Sequence, residues 1–146
     1  MQNELEIKII NFGDDDYLAS LALRDKILRK PIGLNLSEND TKNEDKQIHF
    51  GAFLKDKLVG CLILYPQNEN EVKMRQVAVL SELQKTGIGK KLVNFAEEYA
   101  KNIGFSIITT HARLIVKEFY IKLDYNQSGE DFIEQNITHV CMYKKL

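Results

Sequence analysis

The stretch from Val72 to Tyr99, VKMRQVAVLSELQKTGIGKKLVNFAEEY, passes from a β-branched run into an amphipathic helix through Gln84-Lys85-Thr86-Gly87-Ile88-Gly89. Few folds accommodate that order. A glycine-containing turn lets backbone approach a ligand closely, and a helix start offers unpaired N–H groups and the positive end of its dipole. The spacing therefore predicts an anion site at the helix N-terminus. Ile88, Leu92, Val93, Phe95, Ala96, Tyr99 and Ala100 make a wide apolar stripe at helical spacing, so this helix packs on a sheet.

The flanking sequence supplies that sheet. Glu6 to Phe12 reads as a first strand, and the run Asp14-Asp15-Asp16 supplies an N-cap for a helix that Pro31 and Gly33 end. That helix carries Tyr17, Leu18, Leu21, Ala22, Ile27 and Leu28 at mixed three- and four-residue spacings, and Arg24, Asp25, Lys26, Arg29 and Lys30 are expected on a solvated face. The alternative is that Arg24 or Arg29 reaches an acidic acceptor. Ser37 to Lys46 contains no apolar residue and is expected to be an exposed, mobile loop, either a connector or a lid.

Ile48–Leu54, Leu58–Tyr65 and Val72–Leu80, joined by Lys55-Asp56-Lys57 and a polar break at 67–70, read as an antiparallel meander in which Pro66 closes the second strand. Gly104 ends the long helix. Phe105–Thr110 then reads as a strand parallel to 72–80, because a strand-helix-strand order gives a right-handed crossover. A helix over about 113–123 and strands near Gln127–Phe132 and Ile137–Tyr143 close the chain, the last with His139, Cys141 and Tyr143 on one face. The fold class is α/β, a mostly antiparallel sheet with one central parallel pair. At 146 residues, 1–146 is expected to be a single domain.

Composition narrows the partners. A net charge of −1 indicates no nucleic-acid surface, and no apolar run approaches the ~20 residues of a membrane span. The start Met-Gln-Asn-Glu-Leu-Glu lacks a basic-then-apolar leader, so a cytoplasmic protein is expected. Cys61 and Cys141 are not arranged as C-x-x-C, which argues against a zinc or redox site, and both read as packed small hydrophobes. A Cys141–His139 nucleophile pair is the alternative, though it lacks an identifiable third member.

Two phosphate motifs fail at this loop. A Walker A sequence needs glycine where Gln84 stands and Ser or Thr where Lys91 stands, and a dinucleotide fingerprint needs glycine where Leu92 stands. Gln-x-x-Gly-x-Gly between strand and helix, Val77-Ala78-Val79 just upstream and Phe119-Tyr120-Ile121-Lys122-Leu123 downstream together resemble the GNAT superfamily of acetyl-CoA-dependent N-acetyltransferases. The resemblance covers nearly the whole chain, and the run Ile137-Thr138-His139-Val140 is similar to small bacterial members of the ElaA type.

The resemblance implies acetyl-CoA as cosubstrate and no metal. The backbone of Gln84, Lys85, Thr86, Gly87, Ile88 and Gly89, with Lys90, would cradle the pyrophosphate. Backbone groups of Val77, Ala78 and Val79, exposed where two central strands part, would pair with the pantetheine arm and polarise the thioester carbonyl. Tyr120 would protonate the leaving thiolate, the alternative being a packed core tyrosine. Arg113 stands where many relatives place a cofactor-contacting asparagine, and Asp124-Tyr125 where the family usually has Gly-Phe. No carboxylate stands in the strand Val72–Leu80, so the amine's general base is sought at His139 first and His111 second, or each is a hydrogen-bonded structural histidine. Arg75, Gln76 and His111 are the acceptor-side candidates. The acceptor is an amine, a homodimer through edge strands is the assembly relatives allow, and a non-catalytic acyl-CoA-binding protein of the same fold is the alternative function.

Overall fold

The computed structural model describes residues 4–146. Residues 1–3, which hold the start of the leader reading, lie outside the described residues. The strands are β1 (Leu5–Ile10), β2 (Ile48–Leu54), β3 (Lys57–Pro66), β4 (Glu71–Val79), β5 (Ile107–Arg113), β6 (Asn126–Glu134) and β7 (Ile137–Lys145). The helices are α1 (Asp15–Arg24), α2 (Ile88–Asn102) and α3 (Lys117–Ile121). The strands form one sheet in the order β1-β2-β3-β4-β5-β7-β6, mostly antiparallel with β4 and β5 parallel. The chain divides into two compact units, one reaching to Tyr65 and including Gln76–Ala96, the other made of Pro66–Arg75 and Glu97–Leu146. Among the described residues, no helix is long and apolar enough to cross a membrane.

In the first unit, β2 and β3 join through a two-residue turn, Lys55 (φ 49°) and Asp56 (φ 65°), whose two left-handed residues match the strand twist. β1 runs antiparallel to β2, with Lys8 opposite Gly51. A Cβ at Gly51 would stand 2.6 Å from Ile10 Cδ1, so glycine there lets β1 close on β2. Asp14 caps α1 by accepting from the Tyr17 N–H at 3.0 Å. Tyr17 packs with Ile10 and Phe53, as the apolar spacing predicted.

Two expectations for this unit are overturned. Arg24 and Arg29 are not on a solvated face: they are buried, at 0% and 7% exposure. Arg24 lies on the same stripe of α1 as Tyr17 and Ser20, and its guanidinium grips Glu44 with two hydrogen bonds, Nη1 to Oε1 at 2.8 Å and Nη2 to Oε2 at 2.6 Å. After α1 the chain makes a π-type turn over Asp25–Arg29, and Arg29 binds Asp40 from Nη2 at 2.9 Å and Nε at 3.2 Å. The polar segment 37–46 is consequently anchored: Glu44 and Asp40 are buried within it. A segment without apolar residues holds its place here through carboxylates that a helix neutralises.

The second unit carries a parallel ladder, Glu71 to Met74 of β4 against Ile107 to Thr110 of β5. β7 lies antiparallel on the other side of β5, setting His139 opposite Arg113 and Cys141 opposite His111. A second two-residue turn, Gln135 (φ 53°) and Asn136 (φ 61°), joins β6 to β7. Val72, Met74, Ile108, Val140 and Met142 form one buried face. Behind it, Tyr125 donates to Glu97 Oε2 at 2.7 Å, and Lys144 lies 3.0 Å from Glu97 Oε1. Asp124 takes φ 72°, a left-handed conformation, so the turn after α3 forms without glycine.

Burial opposes ionisation of Asp40, but the Arg29 hydrogen bond and the Ser37 N–H outweigh it and hold the carboxyl below its ordinary value. Its stabilising effect is therefore present above about pH 4 and is lost as pH falls through the lowered folded value. Asp40→Asn should cost about 3 kcal/mol at pH 7 by leaving a buried guanidinium uncompensated. In urea titrations its deficit relative to wild type should shrink below about pH 4. Burial, and then the hydrogen bond to Glu44, push the Tyr17 phenol up to about 12. Folding is then weakened as pH rises from about 10, the unfolded value, through about 12. Tyr17→Phe should make the alkaline loss smaller in the same titrations, the remainder coming from Tyr120, Tyr125 and Cys61, whose pKa values burial also raises.

Candidate functional site: a helix N-terminus and an open sheet face

In the first unit the chain leaves β4 through a 3-10 turn, Ser81–Leu83, and enters α2. Two left-handed residues shape the loop, Lys85 (φ 66°) and Gly87 (φ 95°). The Lys91 N–H bonds the Gly87 carbonyl at 3.0 Å, so the N–H groups of Ile88, Gly89 and Lys90 precede the first helical hydrogen bond and are directed out of the helix end. Gln84 does not point outward. Its Nε2 donates to the Val79 carbonyl at 3.0 Å and ties the loop to the end of β4, while the Thr86 hydroxyl donates to the Leu83 carbonyl. Leu92, Val93 and Ala96 are fully buried, which fixes the helix axis behind this N-terminus. The arrangement presents N–H donors and a positive dipole end at the C-terminal end of β4, with Lys85 and Lys90 adding charge.

Val77, Ala78 and Val79 form the end of β4. Buried and partly exposed residues alternate from Val72 to Arg75; then Ala78 and Val79 are buried in succession. The break follows Gln76, whose φ is 55°. A non-glycine residue there costs about 1–2 kcal/mol. Each other described non-glycine residue with positive φ lies outside the strands, and only Gln76 lies inside one. Its side-chain Oε1 accepts from Arg24 Nε at 3.2 Å, so its amide is directed to α1.

In the second unit, side chains of β4, β5, β7 and β6 share one face: Lys73, Arg75, His111, Arg113, Cys141, His139, Phe132 and Glu134. His139 is buried, and its Nδ1 lies 2.8 Å from the Ile137 carbonyl. A carbonyl only accepts, so in the neutral ring Nδ1 carries the proton and Nε2 holds the lone pair. That Nε2 stands 3.9 Å from Glu134 Oε1, while Glu134 Oε2 is 3.3 Å from His111 Nδ1. Lys73 Nζ lies 3.4 Å from the same Nδ1, and burial lowers the Lys73 pKa. The Phe132 ring stacks on His139 at 5.8 Å and meets His111 edge-on at 5.0 Å. Sequence reasoning singled out His139, His111 and Arg75 here but missed Lys73, Phe132 and Glu134. Their signal was alternation alone, which needs a register to be read.

Tyr120 belongs to the other face of the same sheet. It is buried at 4% exposure, hydrogen-bonded to Thr110, with its ring edge-on to those of Phe119 and Tyr125. Burial raises its pKa above the ordinary value, so the phenol stays protonated and able to donate. Tyr120 and the two histidines are thus not brought together; β5 stands between them, with Thr110 and His111 facing opposite ways. Burial pushes the Cys61 thiol up to about 12 and also raises the Cys141 thiol. Neither is an activated nucleophile at neutral pH. Among the described residues, no three His, Cys, Asp or Glu side chains converge as a metal site would require.

Comparison with known proteins accords with this geometry. Residues 15–125 match the family model described as Acetyltransferase (GNAT) family. The uncharacterised N-acetyltransferase YitI of Bacillus subtilis (strain 168) is 26% identical, covering 97% of each chain. The crystal structure of Escherichia coli ElaA superposes with a TM-score of 0.83 at 17% identity, covering 97% of this chain and 99% of that one. A Bacillus subtilis acetyltransferase solved in complex with CoA gives a TM-score of 0.75 at 24% identity, covering 98% and 99%. A strand whose end is bound to a glycine loop and a helix N-terminus, in a sheet of this topology, together with a family match spanning most of the chain, makes this protein a member of the GNAT acetyltransferase family and an acyltransferase.

Proposed function

We propose that residues 1–146 act as one N-acetyltransferase domain that moves the acetyl group of acetyl-CoA to a primary amine of a small molecule or peptide by direct transfer. The observation that carries this reading is the α2 N-terminus, with its outward N–H groups, fastened by Gln84 to the end of β4. A pyrophosphate at Gln84–Gly89 and Lys90 leads a pantetheine arm along Val77, Ala78 and Val79, whose backbone pairs with it as an added strand. The family's solved relative with CoA supports that cosubstrate.

In the reaction the amine nitrogen attacks the thioester carbonyl carbon, and a β4 N–H stabilises the developing oxyanion. The C–S bond then breaks, and the thiolate takes its proton from Tyr120. His139 accepts the amine's proton at Nε2, with His111 as the second candidate. Arg75 and Arg113 flank the amine and the cofactor. The raised Cys141 pKa favours direct transfer over an acyl-cysteine intermediate. We place the protein in the cytoplasm, working without nucleic acid, membrane or metal, with a homodimer through an edge strand as the assembly open to it.

CoA thiol release, followed with acetyl-CoA and a panel of primary amines, tests the reading. At least one amine should accelerate release, Tyr120→Phe should lower kcat about 10²-fold, and Cys141→Ala should retain activity within about twofold. Acetyl-CoA that binds without any amine accelerating its turnover would favour a binding protein, and loss of turnover in Cys141→Ala would establish the acyl-cysteine route.

A further inference from the structure

The left-handed residue inside β4 is held from a distance. Gln76 precedes Val77, and a left-handed residue turns the following peptide plane out of the strand's alternation, as the successive burial of Ala78 and Val79 records. Its amide oxygen is bound by Arg24 Nε at 3.2 Å. Arg24 in turn has no freedom: it is fully buried and forked onto Glu44, which also accepts from the Tyr17 hydroxyl at 2.8 Å. The Glu44 carbonyl lies 2.8 Å from His49 Nε2 on β2. With Nη1 and Nη2 both turned onto Glu44, the guanidinium plane is fixed, and its Nε donates to Gln76.

We infer that Arg24 is a positioning residue: acting through the Gln76 side chain, it holds the left-handed turn of β4 that aims the Val77 N–H at the thioester carbonyl. This rests on the proposed binding of the thioester beside Val77. The pyrophosphate end is held separately by the Gln84–Gly89 loop, so the two parts of the site are expected to respond differently when the anchor is removed. CoA keeps the pyrophosphate and the pantetheine arm but has no thioester carbonyl, so the bond from the Val77 N–H to that carbonyl is absent from CoA binding.

Gln76→Gly keeps the left-handed backbone at no steric cost and removes the anchor, whereas Gln76→Glu keeps an acceptor for Arg24 Nε. With wild-type protein and the best amine of the panel, Gln76→Gly should lower kcat at least tenfold. Its Kd for CoA should stay within twofold of wild type, and Gln76→Glu should restore kcat to within threefold. Arg24→Lys, which loses the Nε donor, should reproduce the Gln76→Gly pattern if its urea midpoint shows it folded; Gln76→Gly and Gln76→Glu decide the matter without it. Unchanged kcat in Gln76→Gly overturns the inference. So does a parallel loss of CoA affinity, which marks a general structural role, or a raised KM for the amine at constant kcat, which marks Gln76 as an acceptor contact. A wild-type protein that binds no acetyl-CoA removes the proposed function itself, a result readily told apart from a wild type that turns over while its Gln76 variants behave alike.

Discussion

The parallel pairing of Glu71–Met74 with Ile107–Thr110 is the constraint on which this molecule's functional geometry depends. Parallel neighbours cannot be joined by a tight turn, so the chain must leave β4, cross over and return before β5 begins. The crossing element is α2, and its N-terminus necessarily follows the C-terminal end of β4. An outward N–H cluster therefore arises beside a strand end as a consequence of topology, before any residue is chosen for binding. The sequence then refines it: Gly87 accepts φ 95°, and Gln84 turns inward to hold the Val79 carbonyl.

A second constraint is electrostatic. Arg24 and Arg29 lie buried along one helical run and receive Glu44 and Asp40 from a segment that offers no apolar side chain. Buried ion pairs carry a desolvation cost that often cancels their attraction, so they are weak evidence for net stability. Their effect is better described as specification. A bidentate guanidinium accepts a carboxylate in few orientations, and a wrong register of 37–46 would leave a buried charge without its partner. The same fork leaves Arg24 Nε directed at Gln76, so the pair that places the loop also reaches β4.

The readings from sequence divide along this line between local pattern and long-range pairing. Strand Ile48–Leu54 was legible to the residue because its β-branched content and the Lys55-Asp56 turn are local signals. The α2 stripe and the parallel strand after it were legible for the same reason, although β5 begins later and runs on through His111 to Arg113. Arg24 was misread because charge was weighed by residue type, while its spacing from Tyr17 and Ser20 already placed it on the buried stripe. Glu44 and Asp40 carried no local signal at all, since a carboxylate in a polar loop is solvated unless something distant comes to meet it. Glu134 and Lys73 were invisible for a related reason: their proximity to His111 depends on the registers of three strands against β5 and β7.

That last cluster is held together by competing contacts. His111 Nδ1 faces Lys73, which only donates when charged, and Glu134, which only accepts when ionised. One ring nitrogen cannot accept from Lys73 and donate to Glu134 at once. Glu134 also approaches His139 Nε2, the ring nitrogen that the Ile137 carbonyl leaves with its lone pair. Glu134 thus stands between the two rings, with Oε2 toward His111 and Oε1 toward His139. Lys73, whose pKa burial lowers, lies 3.4 Å from the same His111 nitrogen. The cluster is assembled from four side chains drawn from β4, β5, β6 and β7, and no one position in the sequence signals that they meet.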